Sequence, residues 1–124
     1  METKRHVRHD ESDFQVGVVR TLRYAGFYVF AVPNGQRLNL IRAQLAVREG
    51  LTKGVSDLII LLPNQKVFFV EIKNPNKQGK QSPEQKAFEQ LVTKYGHTYL
   101  LWNDWKQVED FINKYGGHHG QTLY

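Results

Sequence analysis

The chain has 124 residues, 40% of them hydrophobic and 23% charged, which is the size and balance of one folded domain. It contains no cysteine, so a disulfide framework, a thiolate zinc site, an iron–sulfur cluster and a cysteine nucleophile are excluded. Seventeen Lys and Arg against 12 acids give a net charge of +5, which favours a polyanionic partner. The cations fall in three groups: Lys4, Arg5 and Arg8 beside His6 and His9; Arg37, Arg42, Arg48 and Lys53; and Lys73, Lys77, Lys80 and Lys86. No run approaches a membrane span and no signal-peptide pattern opens the chain. A cytoplasmic setting is expected.

The first apolar periodicity starts near Asp10 or Glu11. Phe14, Val18, Leu22 and Ala25 recur at helical spacing, and Gly26 stops the helix. The residues before it form a basic arm over 1–9. Tyr28 to Val32 reads as a strand, broken by Pro33-Asn34-Gly35. A helix is predicted over Leu40 to Glu49 with Ile41 and Leu45 on its apolar stripe.

Two strands follow, Asp57 to Leu62 and Lys66 to Lys73, joined by the hairpin loop Pro63-Asn64-Gln65. Both faces of these strands are apolar, so helices are expected to cover the sheet above and below. Ser82-Pro83-Glu84-Gln85 is a capping box with proline at the first helical position. It opens a helix carrying Phe88, Leu91, Val92 and Tyr95. His97 to Trp102 is the next strand. Asn103 or Asp104 caps a last helix over Trp105 to Tyr115, and residues 116–124 form a tail. The order α-β-α-β-β-α-β-α describes an α/β domain over residues 10–115, a mixed sheet flanked by helices.

Acids interrupt the apolar strands at one end only. Asp57 begins one strand, and Glu71 and Lys73 end its hairpin partner. Burying such groups is costly unless they pair or hold a cation. Side chains alternate, so Glu71 and Lys73 share a face, and Asp57 joins them only if paired residue numbers sum to an even value. Two converging carboxylates without thiolate or histidine suit a hard ion, Mg2+ or Mn2+, with the Ile72 carbonyl as a further oxygen. A lysine beside such an ion can orient a water, take its proton or offset developing charge; its role stays open.

Glu11 and Gln85 continue the inward stripes of their helices toward the same place. Each also has a local role, Glu11 complementing its helix dipole and Gln85 closing the capping box. Lys53, Lys77, Lys80, Lys86 and Arg37 are candidate contacts to phosphates. Trp102 and Trp105 fit core packing better than base stacking, and His118-His119 fit a solvated tail.

GVSDLI (Gly54 to Ile59), FFVEIK (Phe68 to Lys73) and SPEQ (Ser82 to Gln85), with Glu11 and Gln15 opening the first helix, resemble the VRR-NUC branch of the PD-(D/E)XK nuclease superfamily. The resemblance runs from about Glu11 to Ile112 and departs at Ser56, where proline is common before the Asp. It implies a restriction-endonuclease-like core. It also implies a metal-dependent endonuclease with Asp57 and Glu71 as metal ligands, Glu11 as the accessory acid beside them, Lys73 as the catalytic lysine and Gln85 as the helix glutamine. Stand-alone domains of this kind resemble Holliday-junction resolvases. That similarity implies four-way-junction DNA as substrate and a homodimer, since two paired incisions need two sites. The alternatives are a nicking or end-processing nuclease without junction preference, and a non-catalytic DNA-binding module. For a dimer surface, Leu38, Ile41 and Leu45 are candidates, and a core role for them is equally open.

Overall fold

The computed structural model describes residues 2–33, 39–76 and 80–116, with side chains from Asp10 onward. The elements are α1 (Glu2–Tyr24), β1 (Tyr28–Ala31), α2 (Leu40–Arg48), β2 (Leu58–Leu62), β3 (Lys66–Ile72), α3 (Pro83–Lys94), β4 (Thr98–Trp102) and α4 (Trp105–Tyr115). The order is the expected one, and the strands form a single sheet in the order β1-β2-β3-β4. β1–β2 and β2–β3 are antiparallel and β3–β4 is parallel, so the sheet is mixed and the core is restriction-endonuclease-like. Among the described residues no helix is long and apolar enough to cross a membrane.

One face of the sheet holds the main core. Val29, Leu58, Ile60, Phe68, Val70, Ile72 and Trp102 point into it from the strands. Phe14, Val18 and Leu22 of α1 and Val108 and Phe111 of α4 close it from above, at the helical spacing read from the sequence. Phe111 meets Phe27, Phe68, Trp102 and Tyr115 with ring centroids 4.8–5.4 Å apart. Trp102 is therefore a core residue. Trp105 lies edge-on to Phe14 at 5.2 Å and covers Gly17, where any Cβ would stand 2.9 Å from the indole. Trp105 nevertheless stays 41% exposed and lies at the margin of the core, which corrects the expectation of core packing for both tryptophans.

The opposite face is only partly covered, which corrects the expectation of helices over the whole of it. α3 lies over β3 and β4, with Phe88 against Phe69 and Tyr99. Tyr28, Phe30 and Leu61, on the β1–β2 side of the same face, remain exposed. α2 buries none of its residues, so Ile41 and Leu45 are exposed instead of belonging to the core. Leu38 lies outside the described residues. Sequence patterning marks a strand as apolar on both sides, but it does not fix which strands a single crossing helix reaches.

α1 also differs from expectation: its backbone is helical from Glu2, well before Asp10. The apolar stripe that signals a helix begins at Phe14, whereas helix propagation needs only one further backbone bond per residue. The first turns thus carry no periodic signal.

Candidate active site

The three-residue hairpin loop fixes the strand register. Leu58 faces Val70 and Ile59 faces Phe69, so paired numbers sum to an even value as required, and position 57 falls opposite position 71. Asp57 and Glu71 consequently lie on the same face, at the end of the hairpin away from the loop. The Asp57 carboxylate accepts the Ile72 backbone N–H at 2.7 Å, which ties the start of β2 to the end of β3. In an extended strand the carbonyl leaves on the side of the amide, so the Ile72 carbonyl faces the same edge.

Glu71 is buried, with a relative exposure of 2%. Its Oε2 accepts from Gln85 Nε2 at 2.9 Å and lies 3.8 Å from Lys73 Nζ. Among the described residues its Oε1 accepts no hydrogen bond. Burial, then the charge of the adjacent Asp57 carboxylate and a hydrogen bond to it that only the protonated pair can make, push the Glu71 carboxyl up from 4.5 to about 9 against the opposing pull of Lys73. Glu11, on α1, is half-buried, and its carboxyl is raised by burial and by Asp57, with Lys73 again opposing. Three acids thus converge around one largely buried lysine.

Gln85 closes the capping box and also reaches the buried acid. Its Oε1 accepts from the Ser82 backbone N–H and from Lys73 Nζ, each at 2.9 Å, while the Ser82 hydroxyl accepts the Gln85 N–H. Because the carbonyl oxygen is engaged by two donors, the amide NH2 must face Glu71. The capping box of α3 therefore sets the orientation of the group that bridges Glu71 and Lys73.

Sequence reasoning missed three supports. Gly54 adopts φ +91°, and a Cβ there would lie 2.5 Å from the Glu84 carbonyl carbon, so the loop before Asp57 closes directly onto the first turn of α3. The buried Asn74 accepts the Asn76 N–H in an Asx turn, and Asn76 donates to Asp10 at 3.2 Å, fastening the end of β3 to α1. Gln81 donates to both Glu89 and Tyr99, anchoring the residue before the helix cap. The Asn-Pro-Asn turn was a readable signal; the Gly54 approach and the Gln81 fork have none in the sequence.

Of the expected phosphate contacts, Lys80 and Lys86 are exposed, and Lys53 is exposed with its ammonium 3.6 Å from Glu84. Arg37, Lys77 and the His118-His119 pair lie outside the described residues. Among the described residues no three His, Asp or Glu side chains gather closely enough to cage a metal by themselves. The donor set nevertheless fits a divalent cation completed by a backbone carbonyl and water, as Mg2+ commonly is. It is all-oxygen, two carboxylates repel each other across it, and one buried carboxylate oxygen accepts no hydrogen bond among the described residues.

A mixed sheet that brings D…E-x-K residues together at one end, with a glutamine from the crossing helix, defines a PD-(D/E)XK-type nuclease core. The VRR-NUC domain family matches residues 10–102, and the chain belongs to this family of nucleases. No curated protein and no solved structure matches it.

Proposed function

We propose that the protein is a metal-dependent endodeoxyribonuclease acting on branched DNA, in particular four-way junctions, as a homodimer. The observation that carries this reading is Glu71: a buried carboxyl forced against Asp57, with Oε1 accepting no hydrogen bond among the described residues, favours a cation in place of the proton the pair otherwise shares. Asp57, Glu71 and the Ile72 carbonyl would hold it, with Glu11 alongside. Such an ion supplies positive charge that acidifies a water and offsets charge developing on the phosphate.

The chain's own groups do the rest. Gln85 fixes Glu71 Oε2 and Lys73 Nζ relative to each other. Lys73 places its ammonium where it can orient the attacking water or stabilise the phosphate oxygens as the P–O bond breaks. The exposed Lys53, Lys80 and Lys86 give the surroundings positive potential for the strand. The uncovered Tyr28, Phe30 and Leu61, with Ile41 and Leu45 on α2, support a second copy as partner.

The test is cleavage of four-way junctions, flaps and linear duplex with and without Mg2+ or Mn2+, together with mass in solution. Expected are junction cleavage by a dimer in the wild type and loss of at least about a hundredfold in Asp57→Ala. Equal cleavage of all three substrates by a monomer would favour a nicking or end-processing enzyme. DNA binding without any cleavage would favour the non-catalytic module.

A further inference from the structure

The helix α2 is built without a core. It has nine residues, none of them buried, and a helix shorter than about 12 residues is marginal in water by itself. Its ends are nevertheless well formed. Asn39 caps it by accepting the Arg42 N–H at 2.8 Å. Gly50, at φ +112°, and Leu51 donate back to the Val47 and Ala46 carbonyls in a Schellman closure. Residues 39–54 hold three cations, Arg42, Arg48 and Lys53, against the single acid Glu49. Arg42 and Arg48 are exposed, and among the described residues neither guanidinium makes an ion pair. Both are open to an outside anion.

Both ends of the segment that carries α2 are tied at the carboxylate end of the sheet. On the way out, Ala31 pairs with Leu58, and the Val32 N–H donates to the Asp57 carbonyl at 2.8 Å. On the way back, Gly54 closes onto the backbone of Glu84, the neighbour of Gln85, and the chain then reaches Asp57. From Arg48 to Gly54 even a fully extended chain spans only about 22 Å, so Arg48 stays within that reach of the anchor. Lys53, its ammonium 3.6 Å from Glu84, lies between them. Along the axis Arg42 and Arg48 stand roughly 9 Å apart. That matches two or three phosphates at roughly 3.4 Å each along a duplex strand. At about 100° per residue the two arginines flank the Ile41–Leu45 stripe on either side. They therefore sit at the rim of whatever that stripe meets, a second copy included, and remain free to reach DNA.

We propose that α2 is a phosphate-binding arm in which Arg42 and Arg48, continued by Lys53, hold the DNA strand as it leaves the carboxylates. This rests on the nuclease reading for what lies at those carboxylates. It adds a substrate contact from a segment outside the D…E-x-K elements, and it gives the short helix the contact that its own chain does not supply.

The test is binding of a fluorescently labelled four-way junction in EDTA as a function of KCl, with mass in solution measured for each protein. Wild type is compared with Arg42→Gln/Arg48→Gln and with a control, Lys94→Gln/Lys114→Gln. The control removes equal charge from exposed positions in the last turns of α3 and α4, at the end of the sheet away from Asp57. Glutamine keeps helix propensity close to that of lysine and arginine, and circular dichroism checks that helix content persists. The log–log salt slope is expected to fall in magnitude by about 1–2 in the arginine variant and by under about 0.5 in the control. Equal slopes in wild type and arginine variant overturn the proposal, as does an equal fall in the control. A wild-type dimer that becomes a monomer in the arginine variant also overturns it, because the arginines then serve the contact between copies. If the wild type cuts DNA and the slopes are equal, the arm alone is refuted. A reduced slope in the variant of a protein whose wild type never cuts DNA supports the arm and refutes the nuclease reading.

Discussion

Gly54→Ala isolates the fit between the loop before Asp57 and α3. At φ +91° a non-glycine residue is strained by about 1–2 kcal/mol. The new methyl group would also stand 2.5 Å from the Glu84 carbonyl carbon and 2.6 Å from its oxygen. These are backbone atoms that cannot swing aside, and overpacking of this kind adds about 1–3 kcal/mol. Together the cost is about 2–5 kcal/mol. Two other glycines provide the reference. Gly50 and Gly96 have φ +112° and +83° with nothing within 4 Å of a Cβ, so their alanine variants incur backbone strain alone. Urea denaturation of the three variants measures the difference directly. Relief of the overlap would move the first turn of α3, and Gln85 with it, so cleavage should fall in Gly54→Ala and hold in the other two. If Gly54→Ala is no less stable than Gly50→Ala and Gly96→Ala, the close approach is not structurally significant.

Three further outcomes are expected. Glu71 is raised to about 9 from 4.5, so its contribution to the stability of the metal-free protein is complete below pH 4.5 and is lost as pH climbs toward 9. Thermal melts from pH 5 to 9 should therefore decline more steeply for wild type than for Glu71→Gln, and parallel curves would contradict the burial argument; added Mg2+ should raise the wild-type midpoint at pH 8. Gln85→Ala removes the capping-box acceptor as well as the bridge from Glu71 to Lys73, so about 1 kcal/mol of stability and at least about tenfold in cleavage rate should go together. Phe111→Ala empties the centre of the ring cluster, with an expected loss of about 3–5 kcal/mol in a denaturant titration; a loss under about 1.5 would place the core elsewhere.

Much of the fold is local and was legible for that reason. The capping box over Ser82 to Gln85, the three-residue hairpin loop and the alternation in β2 and β3 depend on neighbours along the chain. The hairpin even dictates that Asp57 faces Glu71, because register parity follows from loop length. The convergence of Asp57, Glu71 and Lys73 on one face was thus implicit in the spacing.

Tertiary structure decided what that convergence means energetically. Whether Glu71 is solvated or sealed depends on α3 crossing above it and on Gln85 reaching down, and only the sealed arrangement leaves Oε1 without a partner. The approach of Gly54 to Glu84, the tie from Asp10 to Asn76 and the bare β1–β2 side of the sheet likewise join segments far apart in sequence. Residue order sets which groups a strand or helix can present, since that follows from backbone periodicity. Exclusion of water from those groups depends on how separate elements pack, and it is this exclusion that raises the Glu71 carboxyl and supports the proposed cation.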